Sequence, residues 1–483
     1  MSHSHSSDPR QRWRALIVLC LGVLMIVLDG TVVNVALPSI KDNLQFNDTN
    51  LAWVVNAYLL TFGGFLLLGG RLGDLYGHRR LFTLGLAAFT LASLACGLAP
   101  SQSWLITARA VQGLGGAVVT AVALSLIMDL FTEPGERARA MGVYSFVCAA
   151  GGSIGVLLGG LLTDLLSWHW IFLVNLPVGL IVLALSLKLL PAVRAEGSGQ
   201  LDVAGAVTAT LSLMIAVYAV VNGNERGWTS LHTLGLLAAS ALLMLGFILL
   251  ERRIAHPLIP MSLFHLHNLR TANLLAVLWA ASMFAWFFLS ALYLQLVLGY
   301  TPMQVGLAFL PANVIMAIFS LGLSARLVMR YGTRTPLAAG LLLAAIGLAL
   351  FARAPLDGQF VGDVLPGMLL LGLGAGMAFN PMLLAAMSDV EPKDSGLASG
   401  VVNTSFMMGG SVGLAVLASI AAYRTKTAAS DLAPLVALND GYQMAFLIGA
   451  AFALTAAVLA GLLLRSTTTG QQAKVDSAAH PAP

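Results

Sequence analysis

Gly70-Arg-Leu-Gly-Asp-Leu-Tyr-Gly-His-Arg79 is a polar, glycine-punctuated stretch between two apolar runs, and it occurs twice. Ala325-Arg-Leu-Val-Met-Arg-Tyr-Gly-Thr-Arg334 matches it at five of ten positions, at an offset of 255 residues. A second pair lies within the apolar runs. Gly151-Gly-Ser-Ile-Gly155 and Gly409-Gly-Ser-Val-Gly413 match at four of five positions, at an offset of 258. Either echo alone could be chance. Two in register at nearly one offset argue for a duplicated half, and parallel repeats of this kind are a transporter architecture.

The runs around these echoes set the fold class. Apolar stretches bounded by charge, proline or glycine number fourteen, the first over 15–38 and the last over 441–464. One spanning helix takes about 20 apolar residues, so the reading is an all-α, polytopic membrane protein with fourteen transmembrane helices. The echoes lie eight helices apart. They divide the chain into a tail (1–14), a six-helix bundle (15–190), a polar linker (191–200), two inserted helices (201–252), a loop (253–270), a second six-helix bundle (271–465) and a tail (466–483). The first run follows Arg10, Arg12 and Arg14, as in a signal peptide. It is too long for one, and no small-x-small cleavage site ends it.

Charge tests the parse. With both termini in the cytoplasm, nineteen of the 25 Lys and Arg residues fall in inside segments and five in outside ones. That asymmetry follows the positive-inside rule; a miscounted helix would blur it. The expected location is therefore the cytoplasmic (inner) membrane. One basic residue, Arg109, is left within a helix.

Composition excludes the other classes. Apolar residues make up 58% of the 483 and charged residues 10%, against about 25% charged in soluble proteins. The net charge of +4 comes from scattered residues, with no basic patch, so no nucleic-acid partner is expected. Cys20, Cys96 and Cys148 lie in apolar runs and suit packing. No metal or other cofactor is expected, and no GxxxxGK[ST] loop points to ATP. An intramembrane enzyme would need clustered nucleophiles, ligands or paired acids in the bilayer, and none are found.

Four motifs stand out. They are Leu28-Asp-Gly-Thr-Val-Val-Asn-Val-Ala-Leu-Pro38, the loop from Gly70 to Arg80, Arg109-Ala-Val-Gln-Gly-Leu-Gly-Gly116, and the glycines from Gly151 to Gly160. Asp29 is the one acid near the middle of a predicted helix. Intramembrane carboxylates are costly and commonly carry protons or line a cavity; the bland alternative is a solvated Asp capping a kink at Gly30. Asn34 lies five residues on, nearly on the same face. Arg109 could hold a nearby carboxylate ionised or respond to its protonation, and Gln112 at i+3 shares its face; otherwise Arg109 is a structural arginine. In the loop, Gly77 permits a tight turn. Asp74, Arg79 and Arg80, with Gly70, could pair across the halves and hold an inner gate; plain topology also explains the arginines. Gly151, Gly155 and Gly159, accompanied by Gly152 and Gly160, have small-xxx-small spacing for close helix packing. Trp279, Met283, Trp286, Asn380, Asn403 and Phe406 are candidates to line a substrate cavity, since aromatics stack on lipophilic cations; the competing reading is packing between helices or against lipid.

With these residues in view, the chain resembles the major facilitator superfamily, and within it the fourteen-helix drug:proton antiporters of the QacA/EmrB type. The resemblance covers roughly residues 12–465. It departs at Val156, where the family usually has proline. It implies a fold of two six-helix bundles with two linker helices. It also implies proton-driven efflux of small lipophilic or cationic compounds by alternating access, a proton-transfer role for Arg109, and an antiport role for the helix-5 glycines. The partners expected are the small-molecule substrate, protons and the lipid bilayer, plus a periplasmic adaptor if the host has two membranes. A dedicated exporter of one metabolite or self-made toxin, an uptake symporter and a channel remain as alternatives.

Overall fold

The computed structural model describes residues 9–131, 133–190, 202–254, 257, 263, 265–391 and 395–465. Among these no strand occurs. The long helices are α1 (Pro9–Leu44), α2 (Trp53–Tyr76), α3 (His78–Gly97), α4 (Gln102–Leu130), α5 (Pro134–Leu165), α6 (Asn175–Leu189), α7 (Val203–Arg226), α8 (Leu231–Glu251), α9 (His267–Leu292), α10 (Pro302–Ile318), α11 (Arg334–Phe351), α12 (Leu365–Met387), α13 (Ser395–Ala428) and α14 (Pro434–Leu463). Among the described residues, twelve helices are long and apolar enough to cross a membrane. α5 is one continuous helix of 32 residues, and α10 is an apolar helix over Pro302–Ile318 that runs into a π-helical turn. Helices dominate because hydrocarbon offers no partner for a backbone amide, so each segment must satisfy its own.

Local chemistry sets the ends. Ser101 caps α4 by accepting from the Trp104 amide, and Thr301 and Gln304 form a capping box at α10. Gly77, between α2 and α3, has φ +92°, and Gly332, before α11, has φ +73°. These two glycines hold the same position in the duplicated loop. The echo therefore preserves a turn that a residue with a side chain adopts poorly. Several boundaries differ from the sequence reading; the last helix, for one, begins at Pro434 rather than 441. The first helix starts at Pro9 rather than 15, since the arginines at its start extend it out of the apolar run. The tenth continues through a π-helical turn at Phe319–Leu323 into Ser324–Tyr331.

α1–α6 pack among themselves, and so do α9–α14. Two main seams join the groups, α2 against α13 and α5 against α10, with a smaller contact of α1 on α9. An eight-helix offset maps one seam onto the other, so the duplication explains why there are two. α7 packs on both α2 and α13, while α8 packs chiefly on α7. The buried Ser212 and Ser240 hydroxyls each donate to the other's backbone carbonyl at 2.8 Å and hold α8 to α7.

The glycine motifs act within this packing. A Cβ on Gly151 would meet Leu24 and Val27 of α1, on Gly155 Leu28 and Thr31, and on Gly159 the Val32 carbonyl. α5 thus lies against the turns of α1 that flank Asp29. Gly409 and Gly413 set α13 against Val277 and Ala281 of α9 in the same way. Gly160 faces Pro302 and Met303 across the α5–α10 seam. α5 is an unbroken helix through Val156, which is buried.

Candidate functional site

Asp29 is 1% exposed and Arg109 0%. Arg109 Nη1 donates to Asp29 Oδ2 at 2.5 Å. The other carboxylate oxygen, Oδ1, accepts from Gln112 Nε2 at 2.7 Å and from Asn175 Nδ2 at 3.0 Å. Arg109 Nη1 also reaches Gln112 Oε1 at 2.7 Å, and its Nε donates to the Val54 carbonyl at 3.0 Å. Its guanidinium carbon lies 4.3 Å from the centre of the Tyr58 ring and 5.6 Å from that of Phe172. The Ser93 hydroxyl accepts from Gln112 at 2.8 Å and from Asn175 at 3.4 Å. Cys96 Sγ lies 3.6 Å from Gln112 Oε1.

Every helix of the first group contributes to placing this cluster. α1 carries Asp29, α2 Tyr58 and the Val54 carbonyl, α3 Ser93 and Cys96, α4 Arg109 and Gln112, and α6 begins with Asn175. α5 fixes α1 through its glycines. The cluster sits toward the distal face of the bundle, away from the start of α1 and the end of α14. Gln102, at the start of α4, donates there to the Leu44 and Gln45 carbonyls at the end of α1.

The electrostatics are those of a dry ion pair. Isolating either charge at such a site costs several kcal/mol. The arginine cannot shed its proton in compensation, so neutralising Asp29 leaves an uncompensated cation. Relief then requires the guanidinium to move or another acceptor to approach. Nη2 of Arg109 has no hydrogen-bond partner among the described residues, which leaves its two N–H groups ready for such an acceptor.

Asp29, Arg109 and Gln112 are brought together. Asn34 is not: it is buried, and its amide donates to the Thr31 carbonyl of its own helix, at 3.4 Å. The sequence reading missed Asn175, Ser93 and Tyr58. Asn175 had a signal, a lone amide inside an apolar run; hydroxyl and tyrosine side chains in such runs are too common to stand out.

The loop candidates lie at the opposite end. Gly70 has an open side toward Ala121. Arg79 donates to the Leu187 carbonyl near the end of α6, within its own group of helices, where unsatisfied carbonyls attract a cation. Arg80 is exposed, and the Asp74 side chain lies outside the described residues. His78 Nδ1 is 3.0 Å from Asp129 Oδ2, an α3–α4 contact.

Trp279 and Trp286 are 1% and 2% exposed, and Trp286 packs on Phe287 and Phe309 with centroids 4.4 and 5.7 Å away. Met283 is half-buried against the same core. The Asn380 amide donates to the Ser320 carbonyl and that of Asn403 to the Ser399 carbonyl. Phe406 meets Phe284 and Phe379, each at 5.8 Å.

The Major Facilitator Superfamily pattern matches residues 19–414, most of the chain. The chain belongs to the major facilitator superfamily. Membership makes it a membrane transporter, not an enzyme. Among the superfamily members it resembles is the puromycin resistance protein pur8 of Streptomyces alboniger, 41% identical over 95% of this chain and 93% of that protein. The cephamycin export protein CmcT of Amycolatopsis lactamdurans is 40% identical over 94% of both. The multidrug resistance protein Stp of Mycobacterium tuberculosis (strain CDC 1551 / Oshkosh) is 38% identical over 86% of this chain and 76% of that one. The fold matches the crystal structure of a bacterial homolog of the human lysosomal transporter Spinster in an inward-facing, unoccupied conformation. The TM-score is 0.65 at 17% identity, over 95% of this chain and 98% of the other. A second match is the transporter PepTSo of the POT family, with a TM-score of 0.69 at 15% identity over 95% and 98%.

Proposed function

We propose that this chain is a proton-driven exporter of small lipophilic or cationic compounds, a drug:proton antiporter of the fourteen-helix QacA/EmrB type. It lies in the cytoplasmic membrane with both termini inside. The single observation that carries the proton coupling is the Asp29–Arg109 pair, at 2.5 Å and shut off from solvent. The efflux direction is supported by the relatives named for antibiotic export and resistance. The two inserted helices, α7 and α8, and the boundaries at 191–200 and 253–270 belong to the same reading, as does the spanning role of α5 and α10.

The cycle follows from linkage. A proton reaching Asp29 from outside releases Arg109 and weakens substrate binding. Substrate arriving from inside weakens proton binding by the same factor. The membrane potential adds about 2.3 kcal/mol per charge per 100 mV. Inverted vesicles should accumulate substrate when a pH gradient is imposed, and Asp29→Asn should abolish this. Undiminished gradient-driven uptake by that variant would sink the assignment.

A second reading, an exporter dedicated to one compound, has a specific observation behind it. Two of the similar relatives carry the name of a single antibiotic, puromycin, or one class, cephamycins. A resistance panel in a host lacking its own exporters separates the two readings: one chemical class exported means dedicated.

A further inference from the structure

The second copy of the glycine motif holds a polar residue that the function has not used. Ser411, within Gly409-Gly-Ser-Val-Gly413, is 0% exposed. Its hydroxyl donates to Asn56 Oδ1 at 3.2 Å. Asn56 is on α2 and also 0% exposed, so this hydrogen bond crosses the seam between the two groups of helices. Around it lies an apolar cluster of Trp53, Ala57 and Leu60 from α2, Ala415 from α13, and Val217 and Val221 from α7. α7 covers the pair from outside and is itself tied to α13. Asn224 Nδ2 donates to the Ser419 carbonyl at 2.6 Å, and Ser419 Oγ to the Val220 carbonyl at 3.0 Å.

The same turn of α2 meets the ion pair. Arg109 takes the Val54 carbonyl, two residues before Asn56, and packs on the Tyr58 ring, two residues after it. One turn of helix therefore has Arg109 on one side and Ser411 of the other half on the opposite one. Among the described residues, the charged and titratable groups close to Asp29 are Arg109 on α4, Tyr58 on α2 and Cys96 on α3.

We propose that the Asn56–Ser411 hydrogen bond is the latch of the distal gate, and that Arg109 sets it through the Val54–Tyr58 turn of α2. With Asp29 ionised, Arg109 is anchored, the turn is held, and Asn56 faces Ser411. When Arg109 is released, the turn shifts and the latch loses its geometry. Both are positioning residues; neither needs to touch substrate. The proposal rests on the alternating-access reading above.

The test uses the full chain in proteoliposomes, with Cys20, Cys96 and Cys148 replaced by alanine and a reporter cysteine at Ala415. An impermeant maleimide applied from the distal side reads opening of the seam, with no substrate and no proton gradient. Ser411→Ala removes one hydroxyl and should raise the labelling rate two- to tenfold, the worth of one hydrogen bond. Asn56→Ala combined with Ser411→Ala should add little to either alone. Asp29→Asn should also raise labelling, and Ser411→Ala should then have almost no further effect. Unchanged labelling in Ser411→Ala overturns the latch. An equal fold-increase with and without Asp29 overturns its link to Arg109. If labelling responds as described but the parent protein exchanges no drug for protons, the antiport reading fails and the latch stands.

Discussion

Breaking the Asp29–Arg109 pair should separate stability from transport. Both residues are fully buried, and each holds the other at 2.5 Å. Removing one partner of such a pair typically costs about 3–5 kcal/mol, because the survivor is left as an unpaired buried charge. Replacing both with apolar residues of similar volume is often neutral or stabilising by about 1–4 kcal/mol. Asp29→Leu and Arg109→Met should therefore each lower the melting temperature of the detergent-solubilised protein markedly. The double variant should recover most of that loss. Its recovery will be incomplete, because Gln112 and Asn175 lose the carboxylate they both donate to. Transport should behave differently: all three variants should lose gradient-driven efflux. The assays are thermal denaturation in detergent and uptake into inverted vesicles. If the two stability losses simply add in the double variant, the pair is not coupled and the reasoning fails. If the double variant transports, the carboxylate is not the proton carrier.

Three further outcomes follow from other contacts. Asn175→Leu removes one of the donors to Asp29, a hydrogen bond to a charged group worth about 1.5–3 kcal/mol. Efflux should fall by about tenfold or more, and a wild-type rate would place Asn175 outside the mechanism. Gly159→Val drives a side chain into the Val32 carbonyl of α1; overpacking of about 1–3 kcal/mol should lower both melting temperature and transport. A substitution at Gly142, which meets nothing within 4 Å, serves as the control. His169 lies just ahead of the span Trp170–Leu189, and burial lowers its pKa below the usual histidine value of 6.5. A base favoured in its neutral form contributes stability that is present above pH 6.5 and is lost as the pH falls through its lowered folded value. His169→Gln should therefore flatten the acid side of the melting-temperature curve, and an unchanged slope there would remove His169 from the account.

The helices and the duplication were legible because hydropathy and glycine punctuation are local. A run of about 20 apolar residues is a helix in a bilayer whatever its neighbours. Gly77 and Gly332 announced equivalent turns, and both have positive φ. Asp29 and Arg109 were also legible, since a lone charge in an apolar run is rare enough to notice. The surroundings of Asn34 were not legible, because sequence spacing gives a face of a helix but not what that face meets. It bonds its own backbone, while Asn175, 146 residues from Asp29, completes the cluster. The arginines after α2 looked able to bridge the halves, yet Arg79 binds α6 in its own half.

The sequence by itself therefore determined the class, the helices, the repeat and which two charges are out of place. Each of these depends on composition along a single run. Only the tertiary structure decided that these two charges meet, that Gln112 and Asn175 complete their hydrogen bonds, and that the glycines of α5 lie against the turns beside Asp29. It also decided that Ser411 faces Asn56 across the seam. Those are contacts between helices far apart in the chain. They depend on the rotation and depth of each helix, which packing sets and hydropathy does not record.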